Sequence, residues 1–263
     1  MLRKRLLLLF AVIVPLLVLG GCYPYEEFGP AQAPELNSAD YLPQTTGNKW
    51  IYDYKENDVN GNDDATKSRT DTVVITGTMS VYGKNPSVYK RVNTRGLTDT
   101  IFRAVENSKY YEWVPYLDLQ ATKLNINRWF EFINFKTQNW DIFDTNVTNM
   151  SVELMGQPGL FTGKVSFKGV RGTQSKMTVI KSGHPEMVDV YEFIQNVVVE
   201  GTFTSTTQIN VKGGTAIHIF VGKGVGIINQ IYDPLTLSVP PFNNNLIIKG
   251  SAKSLLVSYT PAP

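Results

Sequence analysis

Apolar and polar residues alternate with a period of two along most of the chain beyond residue 43. In GKVSFKG, Val165 and Phe167 alternate with Lys164, Ser166 and Lys168, and in TQINVKGG, Ile209 and Val211 alternate with Asn210 and Lys212. AIHIFVG sets Ile217, Ile219 and Val221 on one side and His218 and Phe220 on the other. Such alternation, bounded by Gly, Asn and Pro, predicts half-buried strands. The segment WIYDYKENDVNGNDDATKSRTDTVVITGTMSV reads as two long strands joined by a polar loop, and IFRAVENSKYYEWV as two strands joined near Asn107 and Ser108. Helical periodicity is scarce. Leu117 to Phe132 comes nearest to it, mixes Asn, Thr and aromatic residues, and could hold one short helix. The pattern predicts a mainly β protein: an antiparallel, strongly curved sheet, half-barrel or barrel-like, with at most one or two short helices. Residues 43–263 are expected to form a single β domain, a size β sandwiches and barrels reach.

The first 42 residues break this pattern. Arg3, Lys4 and Arg5 precede an apolar run from Leu6 to Leu19, interrupted by Pro15. At about 14 residues the run is shorter than the roughly 20 that a spanning helix needs. A basic head, a short apolar body and small residues before a cut site mark residues 1–21 as a secretory signal peptide. Leu19, Gly20, Gly21 and Cys22 resemble the lipobox of bacterial lipoproteins. That resemblance implies that the Cys22 thiol carries a covalent diacylglyceryl group and, after cleavage, an N-acyl chain, and that the protein is held to a membrane by these lipids. No other cofactor and no metal is expected. Cys22 is the only cysteine in the chain, so an exported form has no disulfide and relies on its core. Residues 22–42 carry Pro24, Pro30 and Pro34 and read as a lipidated, Pro-rich tether, which at about 3.1 Å per residue reaches roughly 60 Å. Glu26 and Glu27 lie close behind the lipid. An acidic cluster there resembles a surface-export signal of some Gram-negative groups, although a solvated charge pair is the simpler reading. Tyr23 is not the Asp that resembles an inner-membrane retention signal, which favours the outer membrane within the bacterial envelope.

Charge narrows the partners. The whole chain has 25 Lys plus Arg against 23 Asp plus Glu, and loss of the three basic residues of the leader leaves 22 against 23. A near-neutral body without a basic stripe argues against nucleic acid. Gly222, Gly224 and Gly226 in FVGKGVGIINQ do not make a phosphate-binding fingerprint, because their spacing is two throughout and a strand-like segment follows; they predict a bend. The loop Asp58 to Asp64 is rich in oxygen donors but lacks calcium-loop spacing, and Asn60-Gly61 is a hairpin-turn signal.

Catalytic signatures are thin: His184 lies in a turn, His218 lies on a strand, and neither belongs to a nucleophile or metalloprotease motif. Glu106 with Glu112, or Glu131 with Asp141, are the carboxylate pairs a carbohydrate-active enzyme would need. The protein is expected not to be an enzyme.

Ten of the 30 aromatic residues fall within Tyr110 to Phe143. In WFEFINF, rings occur on both faces of the predicted strand. Tyr111, Trp113, Trp129, Phe130, Phe132, Phe135 and Trp140 are therefore candidates for a doubly covered core strand or for the lining of an apolar pocket.

YLPQTTGNKWIYDY and VGKGVGIINQIY together resemble a group of bacterial lipoproteins and secreted β proteins, through Pro43, Gly47, Trp50, Tyr52, Gly224, Val225 and Gly226. The resemblance implies a half-barrel like those of lipoprotein carriers, in which a curved sheet wraps an apolar cavity. TQNWDIFD echoes TGNKWIYD and sets Trp140 against Trp50. The expected function is a membrane-anchored, non-catalytic binding or carrier module for an apolar or amphipathic ligand. The alternatives are a structural or cell-surface interaction lipoprotein with a solid core, contacting an envelope protein, and a carbohydrate-active enzyme.

Overall fold

The strongest alternating segments become strands, and turns rich in Gly and Asn reverse them. The computed structural model describes residues 36–119, 122–154, 156–239 and 242–263. One helical turn, α1 (Ser38–Tyr41), precedes β1 (Lys49–Glu56), β2 (Arg69–Thr78), β3 (Ser87–Asn93), β4 (Thr98–Glu106) and β5 (Lys109–Leu119). Then follow β6 (Thr122–Asn134), β7 (Asn139–Leu154), β8 (Gln157–Lys181), β9 (His184–Thr204) and β10 (Gln208–Gly222). The last are β11 (Gly226–Tyr232), β12 (Leu235–Val239), β13 (Phe242–Lys249) and β14 (Ala252–Thr260).

All 14 strands belong to one strongly curved sheet, ordered β13-β12-β10-β9-β8-β14-β1-β2-β3-β4-β5-β6, with β7 on β8 and β11 between β10 and β14. Its pairings among the described residues are antiparallel, apart from one parallel bridge of Tyr259 with Lys181. The mainly β, antiparallel, curved architecture predicted from alternation is the architecture observed. Register shifts in β1–β14, β2–β3, β5–β6, β7–β8 and β8–β9 mark bulges. Each bulge bends and twists its strand, which is how a sheet this wide curls.

The β8–β9 hairpin organises the molecule. Its register breaks between Arg171 and Gln174. This divides the hairpin into a proximal arm (174–181 with 184–191) and a distal arm (160–171 with 193–204). Val179, Val188 and Val190 of the proximal arm pack with Trp50, Val73, Ile75, Tyr89 and Tyr259. At the junction, Tyr191 and Phe193 pack with Tyr110, Ile133, Phe135 and Trp140. Phe161, Val165 and Phe203 of the distal arm join Val147, Leu154, Val211 and Val239. These three clusters lie within residues 36–263, one compact unit that carries its own core.

The first and last strands, β1 and β14, pair where the resemblance placed its motif. The Trp50 indole is stacked on Tyr259 at 5.2 Å and donates from Nε1 to the Val225 carbonyl at 2.6 Å. Gly224 and Gly226 have φ of +70° and +95°, and they reverse β10 into β11 in a backbone region that L side chains rarely adopt. The bend expected from these glycines is a hairpin turn. Gly226 packs beside Pro43 and the Trp50 indole, and the Gly47 N–H donates to the Ile75 carbonyl at 2.8 Å. The Tyr52 hydroxyl donates to the Ile227 carbonyl at 2.7 Å. Trp140 repeats the device, donating from Nε1 to the Glu131 carbonyl at 2.8 Å, with its ring filling the space over Gly169.

Two expectations are corrected. Leu117 to Phe132 contains no helix among its described residues; β5 and β6 pair through it, with Trp113 opposite Trp129 and Leu117 opposite Leu124. Cross-strand pairing of aromatic residues overrides a weak helical pattern. The tether was expected to run to residue 42, yet Leu36, Tyr41 and Leu42 are buried in the junction cluster. The Asn37 side chain caps α1 by accepting from the Ala39 N–H at 3.1 Å, and the Gly224 N–H donates to the Asp40 carbonyl at 2.6 Å. The packed body thus includes Leu36 to Leu42. Leu19, Gly20, Gly21, Cys22 and the remainder of the tether lie outside the described residues.

Candidate functional site

A large space lies against the inward side of the distal arm. It is a half-open cavity of ≈ 690 Å³. Met150, Val152 and Leu154 of β7 form one wall, and Phe161 and Val165 of β8 with Val199 and Phe203 of β9 form the floor. Val211, Leu235, Leu237 and Ile248 complete the far wall. Each of these positions follows from strand parity: in GLFTGKV and VVVEGTF, every second residue faces inward.

Glycines explain why the floor is low. Inward positions on β8 and β9 alternate between Gly159, Phe161, Gly163 and Val165, and between Val199, Gly201 and Phe203. The Phe203 ring lies where a Cβ on Gly159 would stand, and the Phe161 ring lies against Gly163 and Gly201. The rings lie down over glycine and leave the space above them open. The neighbouring strands also approach so closely at Gly163 and Gly201 that side chains there would meet backbone, which tightens the curl. Beyond the floor, β7 pairs with β8 and β13 with β12 among the described residues. Both borders line the same cavity.

Charged residues line the cavity as well: Glu56, Asp58, Lys67, Glu153 and Lys249. The loop after β1 closes one end with Glu56, Asn57, Asp58, Val59 and Lys67, and Gly250 passes tightly beneath the Asn57 and Asp58 carbonyls. Glu56 is buried and accepts from Lys67 Nζ at 2.8 Å and from the Tyr54 hydroxyl at 2.8 Å. Burial alone would raise its carboxyl, but these bonds and the nearby Lys249 charge outweigh burial and hold its pKa below the ordinary value. Lys67 also meets Asp64 at 3.4 Å. Asp58 Oδ1 accepts from the Asn60 and Asn62 N–H groups at 2.8 and 2.9 Å, so the loop is a turn that satisfies its own carboxylate. Among the described residues no group of three or more His, Cys, Asp or Glu is placed to hold a metal.

The predicted aromatic residues lie elsewhere. Phe130 is buried and stacks with Phe143 at 5.2 Å, and Phe135 meets Phe193 edge-on at 5.0 Å. Trp140 is buried beside them, and Phe132 packs at the margin of the same cluster. Tyr111, Trp113 and Trp129 lie on the outside of the β5–β6 hairpin. There Lys84 sits 4.0 Å from the Tyr111 ring, Tyr82 stacks on Trp113 at 3.7 Å, and Trp113 meets Trp129 edge-on at 5.6 Å. None of the seven lines the cavity. The rings that suggested a pocket fill a core or form an outer stack, while the cavity is walled mainly by aliphatic side chains. The readable signal for it was the alternation of glycine with phenylalanine.

Three of the candidate catalytic carboxylates are each held by a cation: Glu106 by Lys84, Glu112 by Arg103 at 2.9 Å, and Glu131 by Lys109 at 2.8 Å, with Glu131 also accepting from Asn134 Nδ2 at 2.6 Å. Asp141 is exposed. His218 lies between Glu192, 2.8 Å from Nδ1, and Asp233, 3.5 Å from Nε2. His184 is exposed at the start of β9.

No protein-family model matches the chain, and no curated protein matches it in sequence. Among solved structures, similarity is found to a provisionally named lipoprotein from Parabacteroides distasonis ATCC 8503, at 12% identity and a TM-score of 0.43, over 83% of this chain and 97% of that one. A provisionally named exported protein with a YmcC-like fold from Bacteroides fragilis is similar at 6% identity and a TM-score of 0.32, over 84% of this chain and 99% of that one. Neither likeness is close enough to assign a function.

Proposed function

We propose that this protein is a membrane-anchored, non-catalytic binding or carrier lipoprotein whose curled distal arm takes an apolar or amphipathic ligand. The observation that carries the reading is the ≈ 690 Å³ cavity, lined mainly by apolar side chains. Its size falls in the range of about 300–1,000 Å³ typical of small-molecule sites. Cys22, after the Leu19-Gly20-Gly21 motif, supplies the anchor: a thioether-linked diacylglyceryl group and an amide-linked acyl chain, each buried methylene contributing about 0.8 kcal/mol to attachment. The outer membrane is the favoured location. The anchor then holds the cavity close to a source of amphiphiles.

Native mass spectrometry of residues 36–263 produced in bacteria tests the binding reading. A co-purifying or exchangeable lipid of one chemical class is expected; a mass equal to the bare chain, unchanged after incubation with fatty acids and lysophospholipids, refutes it. Intact mass of the full-length protein extracted from membranes tests the anchor, with a diacylated or triacylated Cys22 expected at the new N-terminus.

A second reading rests on a separate observation. Tyr82 is 68% exposed at a φ of +47°, held there by its stack on Trp113. An exposed aromatic stack of this kind fits contact with an envelope protein. Crosslinking in intact cells tests it, with loss of a specific adduct expected for Tyr82→Ser.

A further inference from the structure

The floor of the cavity is fixed, and its depth with it. A Cβ on Gly159 would stand 2.5 Å from the Phe203 ring, and one on Gly163 would stand 2.8 Å from the Phe161 ring. Both rings therefore rest against glycine backbone and cannot sink further. Both are also buried, in one cluster with Val147, Val165 and Val211. A close-packed floor that does not yield gives the space above it a definite capacity. A methylene is comparable in size to a water molecule, whose share of liquid is about 30 Å³. On that scale ≈ 690 Å³ takes on the order of 20 such groups, one acyl chain rather than two.

The charges at the loop end of the cavity are answered within the protein. Glu56 accepts from Lys67 and Tyr54, Lys67 also meets Asp64, and Asp58 accepts from its own loop. Lys249 is exposed, and its charge reaches Glu56. Glu153 stands between Val152 and Leu154, which line the cavity, so strand alternation turns it to the outer face of β7. The acids Glu56 and Asp58 are balanced by the bases Lys67 and Lys249, and this end presents no one sign of charge to a head group. Resting on the binding reading above, we infer that the cavity takes one unbranched acyl chain, selects it by length and leaves its head group unread in solvent. Affinity then grows with each methylene that finds a wall, and stops growing when the space over Phe161 and Phe203 is full.

The test uses delipidated residues 36–263 and a series of saturated straight-chain fatty acids. Affinities are read by displacement of a fluorescent fatty acid and by native mass spectrometry. Across lengths of about 8 to 24 carbons, affinity is expected to rise about fourfold per added methylene and to level off near about 16–20 carbons. Myristate, its lysophosphatidylethanolamine, its lysophosphatidylglycerol and its monoglyceride are expected to agree within about fivefold, the most that one exposed charge pair contributes. Dimyristoyl phosphatidylethanolamine, with two chains, is expected to bind more weakly than its single-chain counterpart. Leu237→Ala at the far wall and Phe203→Leu in the floor each enlarge the space and should move the levelling-off to longer chains; circular dichroism confirms the fold of each. A rise that continues to the longest chain overturns the capacity limit, and a wider spread among head groups overturns the unread head group. Binding of the two-chain lipid as tight as that of its counterpart, or tighter, overturns the single chain. A limit unmoved in whichever variant folds overturns the bounds assigned to Phe203 and Leu237. Each of these results leaves the cavity reading intact, whereas binding of no probe overturns that reading itself.

Discussion

The proximal and distal arms of the β8–β9 hairpin share two strands and one strand alternation, but they fill their concave sides differently. Around the proximal arm and the junction, Trp50, Tyr89, Tyr259, Phe135, Trp140 and Phe193 interlock edge-on or in stacks. The spaces beside Arg103 there are ≈ 40 and ≈ 20 Å³, room for a water or so. Around the distal arm, Val, Leu and Ile line the walls, two Phe rings lie flat over glycines, and ≈ 690 Å³ stays open. A large ring can reach across a curved sheet and close it, whereas a short aliphatic side chain covers its own strand and stops there. The part of the sequence richest in rings is therefore the solid part.

Substitutions in the two halves should therefore behave differently. The largest effect is expected for Phe193→Ala, which should cost about 3–5 kcal/mol in urea unfolding, because its neighbours cannot collapse into the hole. Val199→Ala, at the half-buried cavity wall, should cost under about 1 kcal/mol. Enlarging side chains gives the sharper pair: Val190→Phe overpacks a fully buried site and should cost about 1–3 kcal/mol, while Val199→Phe projects into open space. The latter should leave stability within about 0.5 kcal/mol and abolish uptake of the fatty acids and lysophospholipids. Similar losses in both halves would erase the distinction. Trp50→Phe keeps the ring but strands the Val225 carbonyl, and an expected loss of about 1–2 kcal/mol would place the chain-end clasp in the solid half.

The smallest effect concerns pH. Glu56 is held below its ordinary value of 4.5, so the folded state favours the carboxylate. That preference contributes stability above about pH 4.5 and is lost as pH falls through the lower folded value. The urea midpoint should therefore fall on acidification below that range, and Glu56→Gln should flatten this part of the curve by a few tenths of a kcal/mol.

Much of the framework was legible in residue order. Asn60-Gly61 gave the loop between β1 and β2, Asn107 and Ser108 the reversal between β4 and β5 with φ of +52° and +61°, and Gly224 and Gly226 the turn into β11. Local chemistry decides such features, and a sequence states local chemistry directly. What was misjudged depends on partners distant in the chain. A four-residue helix at Ser38 has no periodicity to read, and its place is set by Tyr110, Phe135 and Tyr191. Trp113 and Trp129 could only be placed on the outside once β5 and β6 were paired and Tyr82 had been brought over them from the β2–β3 turn. The cavity was hardest to anticipate, because it is defined by volume that side chains do not occupy. Only Gly159, Gly163 and Gly201, read together with Phe161 and Phe203, hinted at it.

The register break between Arg171 and Gln174 carries one further consequence. Because each strand of the hairpin is rooted in a dense aromatic body and tipped with a hollow one, opening at the tip need not propagate to the root. The amide of Gly201 should then exchange with deuterium far sooner than that of Val190, and a guest could enter or leave by local fraying while the tryptophan-clasped base keeps its shape.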